Sequence, residues 1–317
     1  MELQGIHHVT AVSADIGANY RFYTQALGMR LVKRSVNQDD VSAYHLFYAD
    51  AVGSPGTDLT FFDWPVAPAR RGTHSIVRTQ LRVGSERALE WWASHLDGKV
   101  GEPGEIHERA GRATLDFEDA EGQRLSLVSD GGAGEGGQVW ERSPVPAEFQ
   151  LRGLGPVMLS VPNLEPTDRL LQEVMGLRPV GEYPHPENGR DLVTVYEMAA
   201  GGPGAELHVA EQPDLPPARQ GAGSVHHVAF RTPDDREYAA WLDRLSAAGV
   251  RHSGPVNRYW FRSIYYREPN GILFEIATDG PGFAVDEPAA TLGEKVVLPP
   301  FLEPQRERIL RNLKPID

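Results

Sequence analysis

The spacing of apolar residues predicts a strand-helix-strand-strand-strand unit at the start of the chain. An apolar, β-branched run over residues 5–12 predicts a strand, and residues 15–27 carry apolar side chains at helical spacing. Gly28 follows as a helix C-terminal cap. Three further strands, separated by polar or Gly/Pro-rich turns, are predicted at residues 30–36, 44–49 and 58–62. The first unit is therefore a β-α-β-β-β module.

The same order of elements recurs three more times, within residues 74–129, 155–211 and 224–277. Internal repetition outweighs any single motif when a fold is assigned. We therefore expect an α+β protein built from four β-α-β-β-β modules.

A Gly-rich segment at residues 131–137 separates the second module from the third. Its composition is typical of an inter-domain linker. We expect an N-terminal domain with two modules, a Gly/Pro-rich linker, a C-terminal domain with two modules and a C-terminal tail, at residues 1–130, 131–153, 154–283 and 284–317. The tail is expected to pack on the surface or on a partner subunit.

Glu275 is a lone carboxylate in the apolar last strand of the fourth module. Apolar residues alternate along this strand, so Glu275 shares a strand face with apolar side chains. An ionised carboxylate there is costly unless a cation compensates it. Taken alone, Glu275 is better explained as a strand-edge carboxylate in solvent or in a salt bridge with an arginine.

His-His dipeptides occupy equivalent strands in the first and fourth modules, at residues 7–8 and 226–227. His8, His227 and Glu275 together form a complete 2-His-1-carboxylate set, which suits Fe(II) or Mn(II) and leaves positions open for small molecules. The alternative for each dipeptide is a buried histidine satisfied by backbone groups. Since side chains alternate along a strand, His7 and His226 should then face away from the metal.

Approximate counterparts in the other modules complete this repeat alignment. His8 and His227 are expected to correspond to Ser75 and Met158. Glu275 is expected to correspond to Phe62, Leu127 and His208. Only modules one and four supply a full ligand set, so these two modules must lie side by side.

Composition narrows the possibilities further. The 317 residues include no cysteine, which leaves His, Asp and Glu as the strong metal ligands. The net charge of −13 argues against nucleic acid or an anionic membrane surface as a partner. No apolar run has transmembrane length and no signal-peptide pattern begins the sequence, so we expect a cytoplasmic protein.

Several longer motifs resemble the ring-cleaving hydroquinone 1,2-dioxygenases of the vicinal oxygen chelate superfamily. They are Gly5-Ile-His-His-Val-Thr10, Tyr44-His-Leu-Phe-Tyr48, Gly53-Ser-Pro-Gly-Thr57, Arg258-Tyr-Trp-Phe-Arg-Ser-Ile-Tyr-Tyr-Arg-Glu-Pro269, Leu273-Phe-Glu-Ile-Ala-Thr-Asp-Gly-Pro-Gly-Phe283 and Leu298-Pro-Pro-Phe-Leu-Glu303. The resemblance covers essentially the whole chain. It implies that the four modules pair into two open mixed-sheet barrels.

The resemblance also implies a function and a site. The metal, Fe(II) or alternatively Mn(II), would be bound by His8, His227 and Glu275. The partners would be a small aromatic substrate and O2, and family precedent suggests a homo-oligomer.

Further residues match positions around the substrate or in an outer shell. His226 and Tyr265 are expected to act as acid or base, helped by a histidine pKa near 6.5. Arg258 is expected to hold developing negative charge. Without the resemblance, an arginine paired with an acid is an equally good explanation of Arg258. His7 and Thr10 match the outer shell.

Three other functions remain open for the same sequence. An extradiol catechol dioxygenase would share the triad and the O2 chemistry. A glyoxalase-type isomerase would need a fourth ligand from the last strand of module one, where Phe61 and Phe62 stand. A metal-free ligand-sequestering protein of this fold would have no use for the triad.

Overall fold

The structure, a computed structural model, describes residues 1–101 and 103–316. Glu102, inside the second predicted module, and Asp317, the end of the predicted tail, lie outside the described residues.

The described residues form four modules and a tail. The first module contains β1 (Ile6–Ser13), α1 (Ile16–Arg21), β2 (Arg30–Val36), β3 (Tyr44–Ala49) and β4 (Asp58–Asp63). The second contains β5 (Ser75–Val83), α2 (Glu86–Leu96), β6 (His107–Arg109), β7 (Arg112–Glu118) and β8 (Arg124–Ser129). The third contains β9 (Gly153–Val161), α3 (Leu164–Arg169), β10 (Arg178–Pro184), β11 (Leu192–Glu197) and β12 (Glu206–Glu211). The fourth contains β13 (Val225–Thr232), α4 (Asp235–Ala247), β14 (Val256–Asn257), β15 (Arg262–Arg267) and β16 (Leu273–Thr278). The tail ends in α5 (Arg306–Asn312).

Modules one and three share a local device at the end of their helix. In each, the α-helix continues as one π-helical turn, over Phe22–Ala26 and Leu170–Val174. Gly28 and Gly176 follow at φ +69° and +76°, a backbone conformation that favours glycine. At Gly28 a Cβ atom would also lie 2.6 Å from a side-chain atom of Val145. The capping role expected for Gly28 is confirmed.

The modules pair across the chain into two eight-stranded mixed sheets. The first has the order β14-β15-β16-β13-β1-β4-β3-β2 and combines modules four and one. The second has the order β10-β11-β12-β9-β5-β8-β7-β6 and combines modules three and two. Each sheet curls into a half-barrel, so the predicted fold class is confirmed, as is the pairing of modules one and four. The ranges 1–130 and 154–283 each contribute one module to each sheet, and the division into domains stays a prediction.

Two β-bulges interrupt the central β1–β13 pair of the first half-barrel. Ile6 pairs with Phe230 and His8 with Ala229, so His7 is the extra residue on β1. On β13 the extra residue is His226, between His227 and Val225. A bulge re-aims side chains and breaks the strict alternation of a strand. The histidine next to each predicted ligand therefore does not have to face the opposite side.

The tail packs on the outer edge of the first half-barrel. The backbone N–H of Val297 donates to the carbonyl of Arg34 on β2 at 2.9 Å. Leu298, Leu302 and Ile309 bury their side chains around Val36. Fully buried Lys33 on β2 forms an ion pair with Asp286 at 2.7 Å. The tail is thus tied to module one by backbone, apolar and ionic contacts.

No helix among the described residues is both long enough and apolar enough to cross a membrane.

Candidate metal centre

Three neighbouring strands of the first half-barrel bring His8, His227 and Glu275 together. The strands are β1, β13 and β16, and the three side chains are 2%, 4% and 0% exposed. The Nε2 atoms of His8 and His227 lie 3.3 Å and 2.9 Å from the same Glu275 oxygen, Oε2. One ligand atom from each residue lies within 4.8 Å of the others. The predicted triad therefore exists as a compact, buried cluster.

The buried polar atoms of this cluster fit a metal ion. His227 Nε2 and both carboxylate oxygens of Glu275 have no hydrogen-bond partner within residues 1–101 and 103–316. Buried polar atoms without partners are costly, and a cation between them would satisfy all three. Neighbouring ligands around an octahedral ion with bonds of ~2.1 Å lie about 3 Å apart, close to the separations found here.

The bulge residue His7 fixes the hydrogen position on His8. His7 Nε2 lies 3.1 Å from the carbonyl oxygen of Thr278, so Nε2 must donate. Burial, the neighbouring His8 and other nearby charges lower the pKa of His7 to about 3, so its ring is neutral and its Nδ1 accepts. His8 Nδ1, at 2.9 Å, is then the donor. This leaves His8 Nε2, which faces Glu275, available to hold a proton or a metal ion.

His226 stands in the same relation to His227. Their Nδ1 atoms are 2.8 Å apart. Burial, His227 and Arg267 lower the pKa of His226 to about 3, which differs from the near-neutral value expected from sequence. If His227 directs its Nε2 lone pair at the metal position, its Nδ1–H donates to His226, and His226 presents an Nε2–H to the cavity. The bulge thus places His226 beside the triad, against the expectation from strand alternation.

Glu275 is ionised in spite of complete burial. Burial alone would raise its pKa, but His8 and His227 hold the pKa of Glu275 well below the usual range. A neutral imidazole does not balance the negative charge of the carboxylate. A proton or a metal ion must therefore compensate the carboxylate.

A cavity of about 360 Å³ opens from His8 and His227 of the triad. Its walls are mainly aromatic or apolar and come from both modules of the half-barrel. They include Phe47, Phe62, Trp64, Trp260, Phe261 and Leu273. His226, Arg258 and Tyr265 also line it. The volume lies in the range of small-molecule sites.

Arg258 and Tyr265 form a pair at the cavity wall. Arg258 Nε donates to the Tyr265 hydroxyl oxygen at 3.1 Å, which leaves the Tyr265 O–H free to donate into the cavity. Burial and the nearby Glu275 raise the pKa of Tyr265 above that of a free tyrosine. The other Arg258 nitrogens donate to Asp39 at 2.8 Å and 3.2 Å. Pairing with an acid, the alternative expected for Arg258, is therefore present as well.

Sequence reasoning missed two cavity residues. Asp39 is exposed in the β2–β3 loop and gives no local signal that it meets Arg258, 219 positions away. His45 alternates with aromatic residues in β3, a pattern that sequence alone does not distinguish from a structural histidine. Its Nε2 lies 2.9 Å from Thr60 Oγ1, which in turn lies 2.8 Å from Thr10 Oγ1. Thr10 is fully buried and pairs with His227 across the strands, so it lies behind the triad.

A sequence profile of the Glyoxalase/Bleomycin resistance protein/Dioxygenase superfamily matches residues 5–74 and 153–276. The chain belongs to this superfamily. It is 48% identical, over 100% of both chains, to a Bacillus subtilis (strain 168) protein named "Putative ring-cleaving dioxygenase MhqA". It is 30% identical to the chlorohydroquinone/hydroquinone 1,2-dioxygenase of Sphingobium indicum, over 98% of this chain and 96% of that protein. The family resemblance predicted from the motifs is confirmed.

Solved structures agree with this placement. A crystal structure described as a "putative dioxygenase from Bacillus subtilis subsp. subtilis str. 168" matches with a TM-score of 0.90 at 34% identity, covering 100% of this chain and 98% of that chain. Glyoxalase I from Zea mays matches with a TM-score of 0.62 at 16% identity, covering 87% of this chain and 92% of that chain. The second match shows a shared fold only.

In this superfamily member, the sheet register identifies the counterpart of Glu275 in module one. Glu275 pairs across the strands with Ala229, the residue two positions after His227. The same place relative to His8 is taken by Thr60. Within the described residues, no further His, Asp or Glu joins the three-residue cluster. A hydroxyl therefore stands where a fourth ligand would be sought.

The second half-barrel holds the other counterparts. Arg78, after the bulge of β5, takes the place of His8, and Pro156 takes that of His227, so the expected Ser75 and Met158 are wrong. By the same register the counterparts of Glu275 are Ser126 and His208. The expected counterparts Phe62 and Leu127 are therefore wrong by two positions and one position, whereas His208 is confirmed. The bulges explain the error, because they insert a residue that a simple overlay of repeats does not count.

Proposed function

We propose that this protein is a metal-dependent ring-cleaving dioxygenase that acts on a hydroquinone-type aromatic with O2. The observation that carries the proposal is a buried 2-His-1-carboxylate cluster at the end of an aromatic-walled cavity of about 360 Å³. The named functions of the relatives support the reaction class.

His8, His227 and Glu275 would hold the metal. Fe(II), or alternatively Mn(II), bound there would supply the one-electron chemistry through which O2 reacts with the ring. The three protein ligands occupy one side, so substrate and O2 can enter from the cavity. The aromatic walls, including Trp260 and Phe261, would hold a flat ring and exclude water.

Two protein groups would handle protons and hydrogen bonds on the cavity side. Tyr265 can donate its O–H to a substrate oxygen, since its own oxygen accepts from Arg258. His226 can donate from Nε2, because its Nδ1 is engaged by His227. Arg258 keeps its positive charge beside the cavity and would stabilise negative charge that develops on the ring-opened acid. His7 would orient His8 through Nδ1.

A catechol dioxygenase is the second candidate, since the triad and the cavity suit either diol. The glyoxalase-type isomerase is disfavoured by Thr60 at the fourth-ligand position. A metal-free binding protein is disfavoured by Glu275, whose carboxylate lacks a hydrogen-bond partner among the described residues.

Oxygen uptake by the Fe(II)-loaded or Mn(II)-loaded protein tests the proposal. Loading is done without O2, and a panel of substituted hydroquinones and catechols is then compared. We expect stoichiometric O2 consumption with hydroquinones, and loss of both metal and uptake in His227→Ala. Faster uptake with catechols would favour the second candidate. Full metal content and uptake in His227→Ala would contradict the ligand assignment.

A further inference from the structure

A large groove runs next to the cavity and is rich in arginine. Its volume is about 770 Å³, and it lies where both half-barrels and the crossing segments around residues 70 and 219 meet. His226 and Leu273 line both the groove and the cavity. These two side chains therefore form the wall between the proposed active site and the groove.

Five arginines line this arginine groove: Arg70, Arg71, Arg124, Arg219 and Arg267. Only two carboxylates, Glu121 and Glu187, stand among the lining residues. Such a local excess of positive charge contrasts with a net charge of −13 for the whole chain. A cleft lined by one sign of charge attracts small ions of the opposite sign.

Both carboxylates of the groove already have partners. Glu121 accepts the backbone N–H of Ala14 at 2.8 Å. Glu187 pairs with Arg124 at 3.1 Å. Arg71 pairs with Glu118 at 2.7 Å.

Three of the five groove arginines take no part in these ion pairs. Among the described residues, no ion pair joins Arg70, Arg219 or Arg267 to a carboxylate. Arg267 Nη1 donates to the carbonyl of Gly271 at 2.6 Å, which leaves its other guanidinium nitrogens available. Arg70 and Arg219 are held next to each other by two backbone hydrogen bonds of 2.9 Å. Arg267 ends β15, on the same element as Tyr265. Exposed guanidinium groups suit bidentate binding of a carboxylate.

The proposed reaction produces such a group. When O2 cleaves the bond between a hydroxylated ring carbon and its neighbour, both oxygen atoms enter the product. The hydroxylated carbon becomes a carboxylic acid and the neighbouring carbon becomes an aldehyde or acyl group. Since carboxyl groups ionise well below neutral pH, a neutral hydroquinone yields an anion.

We propose that the arginine groove binds the carboxylate of a small organic acid through Arg219 and Arg267, beside the cavity wall formed by His226 and Leu273. The carboxylate belongs either to the ring-opened product or to an acidic substituent on the aromatic substrate. The naming of these two sources rests on the proposed function, whereas carboxylate binding itself does not.

Titration calorimetry on the metal-loaded protein without O2 tests this binding independently of turnover. The probes are cis,cis-muconate as a ring-opened dicarboxylate, 2,5-dihydroxyphenylacetate as a hydroquinone with a carboxylate, and inorganic phosphate. We expect the double substitution Arg219→Gln/Arg267→Gln to weaken binding of at least one organic acid about tenfold. Dependence for muconate assigns the groove to the product, and dependence for dihydroxyphenylacetate assigns it to the substrate.

Arg262→Gln is the matched control. Arg262 lies at the other end of β15, is exposed, and pairs with Asp235 at 3.4 Å, outside the groove. It should leave both affinities unchanged. Equal acid affinity in the double variant and the wild type, or equal competition by phosphate, would overturn the proposal. Arginine-dependent acid binding in a protein without O2 uptake would instead contradict the proposed function while the groove assignment stands.

Discussion

The two half-barrels share one architecture but compensate their carboxylates differently. In the first, Glu275 faces two imidazole nitrogens and no arginine or lysine lies within 4.0 Å of it among the described residues. In the second, Asp116 is held by Arg109 at 2.6 Å and by Arg78 at 3.1 Å. Arg78 follows the bulge of β5 as His8 follows the bulge of β1. The protein supplies the cation itself in one half-barrel, whereas the candidate metal centre of the other has no such side-chain cation beside its carboxylate.

A second ion pair strengthens this contrast. Glu206 is buried in the second half-barrel and accepts two hydrogen bonds from Arg112, at 2.6 Å and 2.8 Å. Burial would raise the pKa of Glu206, but His208 and Arg112 lower it. The buried carboxylate of Glu206 therefore has its cationic partner within the protein. The same scaffold becomes a candidate metal site only where such arginines are missing.

The largest expected effect is the loss of the metal itself. Glu275→Gln should abolish stoichiometric Fe(II) binding and reduce turnover by about a thousandfold or more, since a neutral amide is a poor ligand. Glu206→Gln is the matched control and should retain the metal. Elemental analysis and O2 uptake measure both effects. Equal metal content in the two variants would break the comparison.

In the metal-free protein the order of these two variants should be reversed, with the larger loss of stability in Glu206→Gln. Glu206→Gln leaves Arg112 without its partner and should lower the free energy of unfolding by about 3 kcal/mol. Glu275→Gln removes a carboxylate that, without metal, only the imidazoles of His8 and His227 compensate, so the metal-free variant should lose less, within about 1 kcal/mol of the metal-free wild type. Urea denaturation in the presence of a chelator measures the difference. A strongly destabilised Glu275→Gln would show that the protein itself compensates Glu275.

Phenols of the two half-barrels give a smaller contrast. Tyr265→Phe should keep the metal and slow ring cleavage about tenfold to a hundredfold, because a cavity proton donor is lost. Tyr183, whose hydroxyl lies 2.8 Å from His208 Nδ1, is the control in the second half-barrel. Single-turnover rates should be unchanged in Tyr183→Phe. An unchanged rate in Tyr265→Phe would remove Tyr265 from the proposed mechanism.

Acid should destabilise the metal-free protein through the bulge histidines. The pKa of both His7 and His226 is about 3 in the folded state against 6.5 when unfolded, so between these values the unfolded chain binds the extra protons. The free energy of unfolding should therefore fall as pH falls from 6.5 towards 3, by up to about 1.4 kcal/mol per pH unit for each histidine. His226→Gln should reduce this slope by about one proton in urea denaturation between pH 7 and 5. A slope identical to wild type would contradict the shifted pKa of His226.

The ion pair between Asp39 and Arg258 should give the smallest effect. Its carboxylate side is exposed, and exposed ion pairs contribute little. Asp39→Asn should lower kcat/KM about threefold at low salt. At high salt the variant should equal the wild type, because dissolved ions already screen the pair there. A salt-independent loss of more than tenfold would instead indicate a direct role of Asp39 in the reaction.

The sequence predicted the repeats, the pairing of modules one and four and the triad from local patterns. Repeated His-His pairs and one carboxylate on an apolar strand were sufficient, since each pattern is contained within a single strand. The positions of His7 and His226 could not be predicted, because a bulge depends on how two distant strands pair. The contact of Asp39 with Arg258 and the arginine network around Asp116 depend on loops and strands that meet only after folding.

The tail covers one edge of the first sheet. Strand edges present unpaired N–H and C=O groups that can add a strand from another copy. At β2 the segment around Val297 occupies such an edge. At the opposite sheet's exposed edge strand, β10, Pro179 and Pro184 have no N–H to donate. Removal of the tail would therefore leave β2 as an uncovered strand edge that can pair with another copy. Truncated chains should aggregate before the fold around the candidate metal centre is lost.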